Sequence, residues 1–178
     1  MNVNRRIAIK QLAAISAVAI LAPSCSTGKG PSRLFKNIKA TEDLDSLISA
    51  LADTILPKSS TPGAVELKVP EFIAKMIDDC VPKDVQLQWL SGANKFDAEI
   101  QKSSGKFFFD LNAEERLKTL TEWETNNHSD EELKVFYQTT RGLAIRGYTS
   151  SEYFMTNVQH YNIIPGPFKG CVSINNPS

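Results

Sequence analysis

Residues 41–57 read TEDLDSLISALADTILP, and the spacing of their apolar residues decides the fold class. These residues recur at intervals of three and four, which places them on one face of an α-helix. Thr41 is suited to cap the start of this helix, and Pro57 to end it. The predicted buried face consists of Leu44, Leu47, Ile48, Leu51, Ala52 and Ile55.

Two further stretches with the same spacing follow along the chain. A second helix is predicted from Pro70, because proline is favoured in the first turn of a helix, and a third helix follows Pro82. The predicted stripes are Phe72, Ile73, Met76, Ile77 and Cys80 in the second helix, and Val85, Trp89, Ala93, Phe96 and Ile100 in the third.

Capping patterns predict the start of two more helices. Asn112 followed by Glu115 is a variant of the capping box, and Ser129 followed by Glu132 repeats the device. Gly147 is predicted to end the fifth helix, and a short sixth element follows it. The predicted buried stripe of the fifth helix is Leu133, Phe136, Tyr137, Thr140 and Ala144.

The length and composition are those of one globular domain. The chain has 178 residues, of which 42% are hydrophobic, and no alternating run is long enough for a pair of strands. We therefore predict an all-α fold: a single compact domain of about five or six helices over residues 41–178. Twenty basic and twenty acidic side chains give a net charge of zero, which argues against nucleic-acid binding.

The net charge of zero is the sum of two unlike parts. The first 24 residues carry three basic residues and no acid, so the remainder carries a formal charge of −3. Residues 12–22 are apolar except for Ser16, and eleven residues are too short to cross a hydrocarbon core of roughly 30 Å. We interpret residues 1–24 as a signal peptide.

The basic part of this leader resembles a twin-arginine export signal. Residues 4–10 read NRRIAIK, with the paired residues Arg5 and Arg6, an apolar residue two places on, and Lys10. The alternative is a general secretory signal that happens to contain two arginines. The twin-arginine route exports folded proteins, mainly those that carry a cofactor, yet this chain has no recognisable cofactor motif of its own.

Cys25 is a candidate for lipidation. Residues 21–25 read LAPSC and resemble a lipoprotein cleavage box, which would make the protein a membrane-anchored periplasmic lipoprotein. The alternative is ordinary cleavage nearby, which would leave Cys25 as a spare thiol. We assign residues 25–40 to a tether, because residues 26–33 are rich in serine, glycine and proline.

Cys80 and Cys171 are candidates for a disulfide bridge. They are an even number of thiols in a compartment where disulfides persist. Cys80 is expected on the apolar face of the second helix and Cys171 in a C-terminal loop, so a bridge would fasten the tail to the body. The alternative is two buried, unpaired thiols that behave as small hydrophobic residues.

Several aromatic residues are candidates for binding a partner protein. Phe107, Phe108 and Phe109 are consecutive, so they cannot all face one core, and the same difficulty arises for Tyr148 and Phe168 near the C-terminus. Some of them would form an exposed apolar patch of the kind that binds proteins. In the alternative, the loops fold back and bury them. The candidates are Phe107, Phe108, Tyr148 and Phe168.

No catalytic or metal site is predicted in this chain. His128 lies in a polar stretch and is expected to be a solvated cap residue, and the neighbours Asp78 and Asp79 project about 100° apart on a helix, so we assign them to a solvated face. The chain has two histidines and no CxxC, GxGxxG, GxxxxGK[ST] or GxSxG motif.

Five stretches together resemble the gluconate 2-dehydrogenase subunit 3 family. They are residues 51–57 (LADTILP), 61–64 (TPGA), 69–79, 147–152 (GYTSSE) and 165–171 (PGPFKGC). The resemblance implies a small helical subunit, without its own cofactor, that associates with a large flavin-dependent dehydrogenase of the glucose–methanol–choline type. It further implies FAD in that partner and a membrane cytochrome c subunit in the complete complex.

The resemblance also explains a folded-export signal on a chain without a cofactor. Such a chain would escort the flavin-loaded partner across the membrane, stabilise it and attach it to the membrane. Two other functions stay open: a free-standing periplasmic lipoprotein that acts as a binding module, and an enzyme that uses Asp53, Tyr148 or His160.

Overall fold

The computed structural model describes residues 30–126, 129–164, 166–167 and 171. Within them it has five α-helices and no β-strand, so the all-α prediction is confirmed. A short 3₁₀ turn, Phe108–Asp110, precedes the fourth helix, and a π-helical turn, Phe154–Val158, follows the fifth. The helices are α1 (Glu42–Ile55), α2 (Val69–Cys80), α3 (Lys83–Ser104), α4 (Ala113–Thr125) and α5 (Glu131–Thr149).

Helices α3 and α5 form the centre of the domain and pack along each other. Their buried aromatic rings meet: the centroid of Phe136 lies 5.3 Å from that of Trp89 and 5.5 Å from that of Phe96. Gly92 permits this close approach, because a Cβ atom there would lie 2.1 Å from the carbonyl oxygen of Glu132. All five predicted stripe residues of α5 are buried, as the helical spacing requires.

The ends of the helices confirm one capping prediction and correct two others. Asn112 and Glu115 form the predicted capping box. The cap of α5 is Asp130 rather than Ser129, since the Asp130 carboxylate accepts from the amides of the second and third residues of that helix. Helix α5 also continues past Gly147 to Thr149. Gly147 serves close packing instead, since a Cβ there would lie 2.8 Å from the ring of Phe72.

Residues 31–41, which we call the N-terminal strap, lie on the helical domain. The predicted tether over residues 25–40 is therefore wrong for residues 31–40. Phe35 is buried and its ring centroid lies 6.0 Å from that of Trp89. The amide of Ser32 donates to the carbonyl of Ala40 at 3.0 Å, and Pro31 forms an isolated bridge with Thr41. The strap is thus a closed loop, and its residue Phe35 is part of the core.

Asp78 holds the strap and is buried, so the prediction that it lies on a solvated face is wrong. Its carboxylate accepts from the amides of Lys36, Asn37 and Ile38 at 2.8 to 3.1 Å. Asp79 is exposed, as predicted.

Among the helices of the described residues, none is both long and apolar enough to cross a membrane.

Candidate partner-binding surface

The loop of residues 57–68, which joins α1 to α2, is folded tightly on itself. The amide of Ala64 donates to the carbonyl of Leu56 at 2.9 Å, and the amide of Val69 donates to the carbonyl of Ala64 at 2.9 Å. Gly63 is required here, because a Cβ atom at this position would lie 2.7 Å from the amide nitrogen of Lys58. The loop therefore has a defined shape although it contains no long helix or strand.

An ion pair fastens the same loop from the outside. The Lys58 ammonium group hydrogen-bonds the Glu66 carboxylate, which also accepts from the amide of Gly63 at 3.1 Å. These two hydrogen bonds lower the pKa of Glu66. The loop ends at Lys68 in the left-handed conformation, with φ of 56°, which turns the chain into α2. Such fixed loops can bind a partner with little loss of conformational entropy.

The C-terminal end of α5 lies against this loop. The hydroxyl of Tyr148 is 3.5 Å from Oγ1 of Thr61, and the ring of Tyr148 contacts that of Phe154 at a centroid distance of 6.0 Å. The loop 57–68 and residues 147–157 together form one face of the domain, which we call the loop surface. Two open clefts of about 490 and 430 Å³ lie on this surface; the second is lined by residues of both segments.

A strongly apolar segment continues from the loop surface. Residues 158–164, which we call the apolar arm, begin at the last residue of the π-helical turn. The arm is set at its base by His160 in the left-handed conformation, with φ of 49°, and by a 2.8 Å hydrogen bond from the amide of Tyr161 to the carbonyl of Met155. Its exposed apolar side chains are Val158 (49%), Tyr161 (57%), Ile163 (83%) and Ile164 (80%).

Of the aromatic residues predicted to bind a partner, two are at the surface. Phe107 is 36% exposed and stacks on Phe109 at a centroid distance of 5.3 Å, and Tyr148 is half-buried in the loop surface. The prediction for Phe108 is wrong, because Phe108 is fully buried and its ring packs 5.7 Å from Phe96. The 3₁₀ turn explains the difference, since it directs neighbouring side chains in different directions.

Phe109, on which Phe107 stacks, lines a groove along α1. This groove has a volume of about 630 Å³, and Phe109 and Val65 contribute to its walls. Arg116 also lines the groove; its guanidinium lies 3.6 Å from the Asp53 carboxylate and donates to the carbonyl oxygen of Phe109 at 2.9 Å. The groove is therefore a second surface feature, mixed in polarity, beside the 57–68 loop to which Val65 belongs.

The two described cysteines are both exposed and free. Cys80 is the last residue of α2 and does not lie on its apolar face, contrary to the prediction. The buried face of that helix is formed by residues such as Ile73 and Ile77. The bridge predicted between Cys80 and Cys171 is consequently not formed in this structure.

The structure does not assemble the residues considered for catalysis. Asp53 pairs with Arg116, Tyr148 contacts Thr61, and His160 lies exposed in the arm. No hydrogen bond or ion pair of the described residues joins any two of Asp53, Tyr148 and His160. Within the same part of the chain, no three acidic, cysteine or histidine side chains are placed to hold a metal ion.

Some predicted site residues lie outside the described residues. They are Arg5, Arg6, Lys10, Cys25, His128 and Phe168. The sequence analysis does not identify the apolar arm: it places the residues up to Tyr161 in the short sixth element and assigns no element or role to residues 162–164. The available signal was the pair Ile163–Ile164 placed after the last helical pattern, where no amphipathic face can bury it.

Comparison with known proteins gives one family. The family model described as gluconate 2-dehydrogenase subunit 3 matches residues 42–166, more than half of the chain. The matched span runs from the first residue of α1 to beyond the apolar arm. No curated protein and no solved structure matches the chain. The chain therefore belongs to the gluconate 2-dehydrogenase subunit 3 family.

Proposed function

From this family membership we propose that the chain is a non-catalytic small subunit of a periplasmic, FAD-dependent dehydrogenase of sugars or gluconate. In this proposal the flavin and the substrate pocket belong to the large subunit of the glucose–methanol–choline type. The present chain binds that subunit through the loop surface and the apolar arm. It aids the export, stability and membrane attachment of the large subunit, and a membrane cytochrome c subunit completes the complex.

The observation that carries the proposal is that the stretches resembling the family lie next to one another in the folded domain. The first stretch, residues 51–57, leads into the 57–68 loop, and the second, residues 61–64, forms part of it. The helix that follows the loop contains residues 69–79. The C-terminal end of α5, with residues 147–152, lies against the loop. Stretches separated by more than 80 residues in sequence thus share one side of the domain. A shared docking surface gives a physical reason for this common pattern.

The apolar arm supports the same conclusion. Ile163 and Ile164 are more than three-quarters exposed, and water contact with side chains of this kind is unfavourable. Covering one isoleucine contributes about 1.5–3 kcal/mol to association before the costs of ordering are subtracted. Because the arm continues from the loop surface, one partner can contact both.

The leader supports the roles in export and attachment. Arg5 and Arg6 fit a route that carries folded proteins, which a flavin-loaded partner requires if it has no signal of its own. Acylation at Cys25 would then keep the exported complex at the membrane.

Co-purification tests the assembly. The tagged chain, solubilised from its native membrane, should carry a large yellow, flavin-absorbing subunit. The double variant I163S/I164S should weaken the complex by at least about tenfold. Leu87→Ser is the matched control, because Leu87 is 67% exposed on α3, outside the loop surface and the arm, and this variant should retain the partner.

A colourless, monomeric wild-type protein would contradict the assembly and favour the free-standing periplasmic lipoprotein. If the wild type retains the yellow subunit and I163S/I164S retains it equally well, the arm is not part of the interface.

Export has its own test. Arg5→Lys combined with Arg6→Lys keeps the charge of the leader but removes the arginine pair. We expect the dehydrogenase activity and the flavin subunit to be lost from the periplasmic face. Normal periplasmic levels of the flavin subunit in this variant would overturn the escort role.

A further inference from the structure

We propose that Tyr137 is the end of a one-electron relay through the aromatic core. In this relay an oxidising radical removes an electron from Trp123, Tyr137 replaces that electron, and a small anionic reductant restores Tyr137 from the surface. The relay goes beyond the proposed function and does not depend on it, because every group involved belongs to this domain. Its effect is to move an oxidising equivalent out of the core before it damages the tryptophans.

The rings of Trp123 and Tyr137 are in contact where α4 packs on α5. Their centroids are 4.8 Å apart, the angle between the ring planes is 64°, and both residues are buried. Indole and phenol are among the side-chain groups that lose one electron most readily, and rings in contact exchange electrons rapidly. The pair is therefore placed for electron transfer from the phenol to an oxidised indole.

This contact belongs to a longer row of rings. The centroid of Phe96 lies 5.1 Å from that of Trp123 and 5.5 Å from that of Phe136. The centroid of Phe136 lies 5.3 Å from that of Trp89. Both tryptophans of the chain thus belong to one continuous ring cluster that reaches Tyr137. An oxidising equivalent formed at either tryptophan has a route to the same tyrosine.

A carboxylate is placed to take the proton that each ring loses on oxidation. The Tyr137 hydroxyl donates to the Glu124 carboxylate, and the indole nitrogen of Trp123 donates to Oε2 of Glu99 at 3.0 Å. Burial and the hydrogen bond to Glu124 raise the pKa of the Tyr137 phenol. The phenol is therefore protonated at neutral pH, and its oxidation requires an acceptor for this proton.

The transfer is balanced in electrons and protons. When Trp123 loses one electron to the radical oxidant, its indole proton moves to Glu99, which leaves a neutral indolyl radical. Tyr137 then gives one electron to this radical, the proton returns from Glu99 to the indole nitrogen, and the phenol proton moves to Glu124. The products are intact Trp123, a tyrosyl radical and a protonated Glu124.

A surface cleft gives the tyrosyl radical access to a reductant. The cleft has a volume of about 380 Å³, and Tyr137 is one of its lining residues. The charged residues of the lining are Glu124, Lys134 and Arg141. Once Glu124 is protonated, the lining carries two cations and no anion, and a cleft of one charge sign concentrates small ions of the opposite sign. An anionic donor is thereby favoured; it supplies the electron, and Glu124 returns the proton to Tyr137.

Pulse radiolysis of the purified full chain tests the transfer. Azide radicals oxidise tryptophan, and we expect the indolyl absorption to decay while the tyrosyl absorption rises at the same rate, independent of protein concentration. Tyr137→Phe keeps the ring and should abolish this phase. The triple variant Y148F/Y153F/Y161F, in which Tyr137 is the only tyrosine, should retain it. A phase that persists in Tyr137→Phe, or is lost in the triple variant, would overturn the proposal.

Glu124→Gln tests the proton acceptor without removing a core ring. Glutamine accepts a hydrogen bond from the phenol but not its proton, so the transfer should slow by at least about tenfold. Glu122→Gln is the matched control, because Glu122 is exposed on the same helix and pairs with Lys118 at 3.9 Å; it should keep the wild-type rate. Equal rates in the two variants would contradict the relay. Because Glu124 is exposed, this comparison decides the question even if Tyr137→Phe fails to fold.

The decay of the tyrosyl radical on addition of a reductant tests the cleft. The variant K134Q/R141Q should lower the rate with ascorbate several-fold and leave the rate with neutral hydroquinone unchanged. Raising the salt concentration should have the same selective effect on the wild type, because salt screens exposed charges. Equal effects on the two reductants, or no effect on either, would overturn the choice of an anionic donor.

Discussion

The indole nitrogen of Trp89 donates a hydrogen bond of 3.1 Å to the hydroxyl of Thr140, and both residues are fully buried. This bond joins the two central helices, α3 and α5, across 51 residues of sequence. It also explains why the fully buried stripe of α5 contains a threonine. A buried indole N–H without an acceptor would lose the hydrogen bonds that water gives it in the unfolded chain.

Replacing Thr140 should therefore destabilise the domain. Thr140→Val keeps the shape but leaves the Trp89 N–H unpaired, and should lower the free energy of unfolding by about 1–3 kcal/mol. Thr140→Ser keeps the hydroxyl and should be the less destabilised of the two variants. Denaturant unfolding followed by circular dichroism measures both; a valine variant as stable as the wild type would contradict the assignment.

Replacing two different glycines with alanine should change the stability of the domain in opposite directions. At Gly92 the added Cβ would lie 2.1 Å from the Glu132 carbonyl oxygen and 2.7 Å from Cβ of Phe136, so α3 and α5 would have to separate. We expect Gly92→Ala to be destabilised by about 3 kcal/mol or more. Gly142 has open space around it in α5, and Gly142→Ala should gain about 0.5–1 kcal/mol. Thermal unfolding of the pair measures both changes.

The hydrogen bonds between Asp78 and the amides of the N-terminal strap should make the stability of the domain depend on pH. Burial raises the pKa of this carboxyl, but the hydrogen bonds from the amides of Lys36, Asn37 and Ile38 outweigh burial, so its pKa in the folded protein lies below the ordinary value. A lowered pKa stabilises the fold fully above the unfolded value of about 4, and the stabilisation is lost as the pH falls through the folded value.

Asp78→Asn should accordingly lower the free energy of unfolding by about 2–3 kcal/mol at pH 7. The difference in this free energy between the variant and the wild type should become smaller below about pH 4. Asp79→Asn is the matched control. Its carboxylate is exposed and accepts one exposed hydrogen bond from Asn37, so the expected cost is below about 1 kcal/mol. Urea unfolding at several pH values gives the comparison; a gap that does not change with pH would contradict the role of the charge.

Replacing Phe107 or Phe108 with alanine should lower the stability by very different amounts, although the two residues are neighbours. Phe108→Ala removes a fully buried ring and should cost about 3–5 kcal/mol. Phe107→Ala removes a ring that is 36% exposed and stacked on Phe109, and should cost about 1 kcal/mol or less. Similar losses in the two variants would show that the 3₁₀ turn is placed differently. Chemical denaturation of both variants makes the measurement.

Much of the fold could be predicted because its signals are local. The periodicity of α1 and α5 and the Asn112–Glu115 capping box depend on residues within a few positions of each other, and the structure has them as predicted. The errors concern residues whose surroundings come from distant sequence. Asp78 was assigned to solvent because nothing near it in sequence indicates that residues 36–38 fold over it.

Periodicity, capping and motif order along the chain are sufficient to predict the helical class, most of the buried faces and the family. Three features could be seen in the folded domain alone: which of three consecutive phenylalanines enters the core, that residues 31–40 lie on the domain, and that the 57–68 loop and residues 147–157 form one surface. The physical reason is that these outcomes depend on contacts between segments far apart in sequence, such as the carboxylate of Asp78 and the amides of the strap. Local propensity carries no information about such pairs.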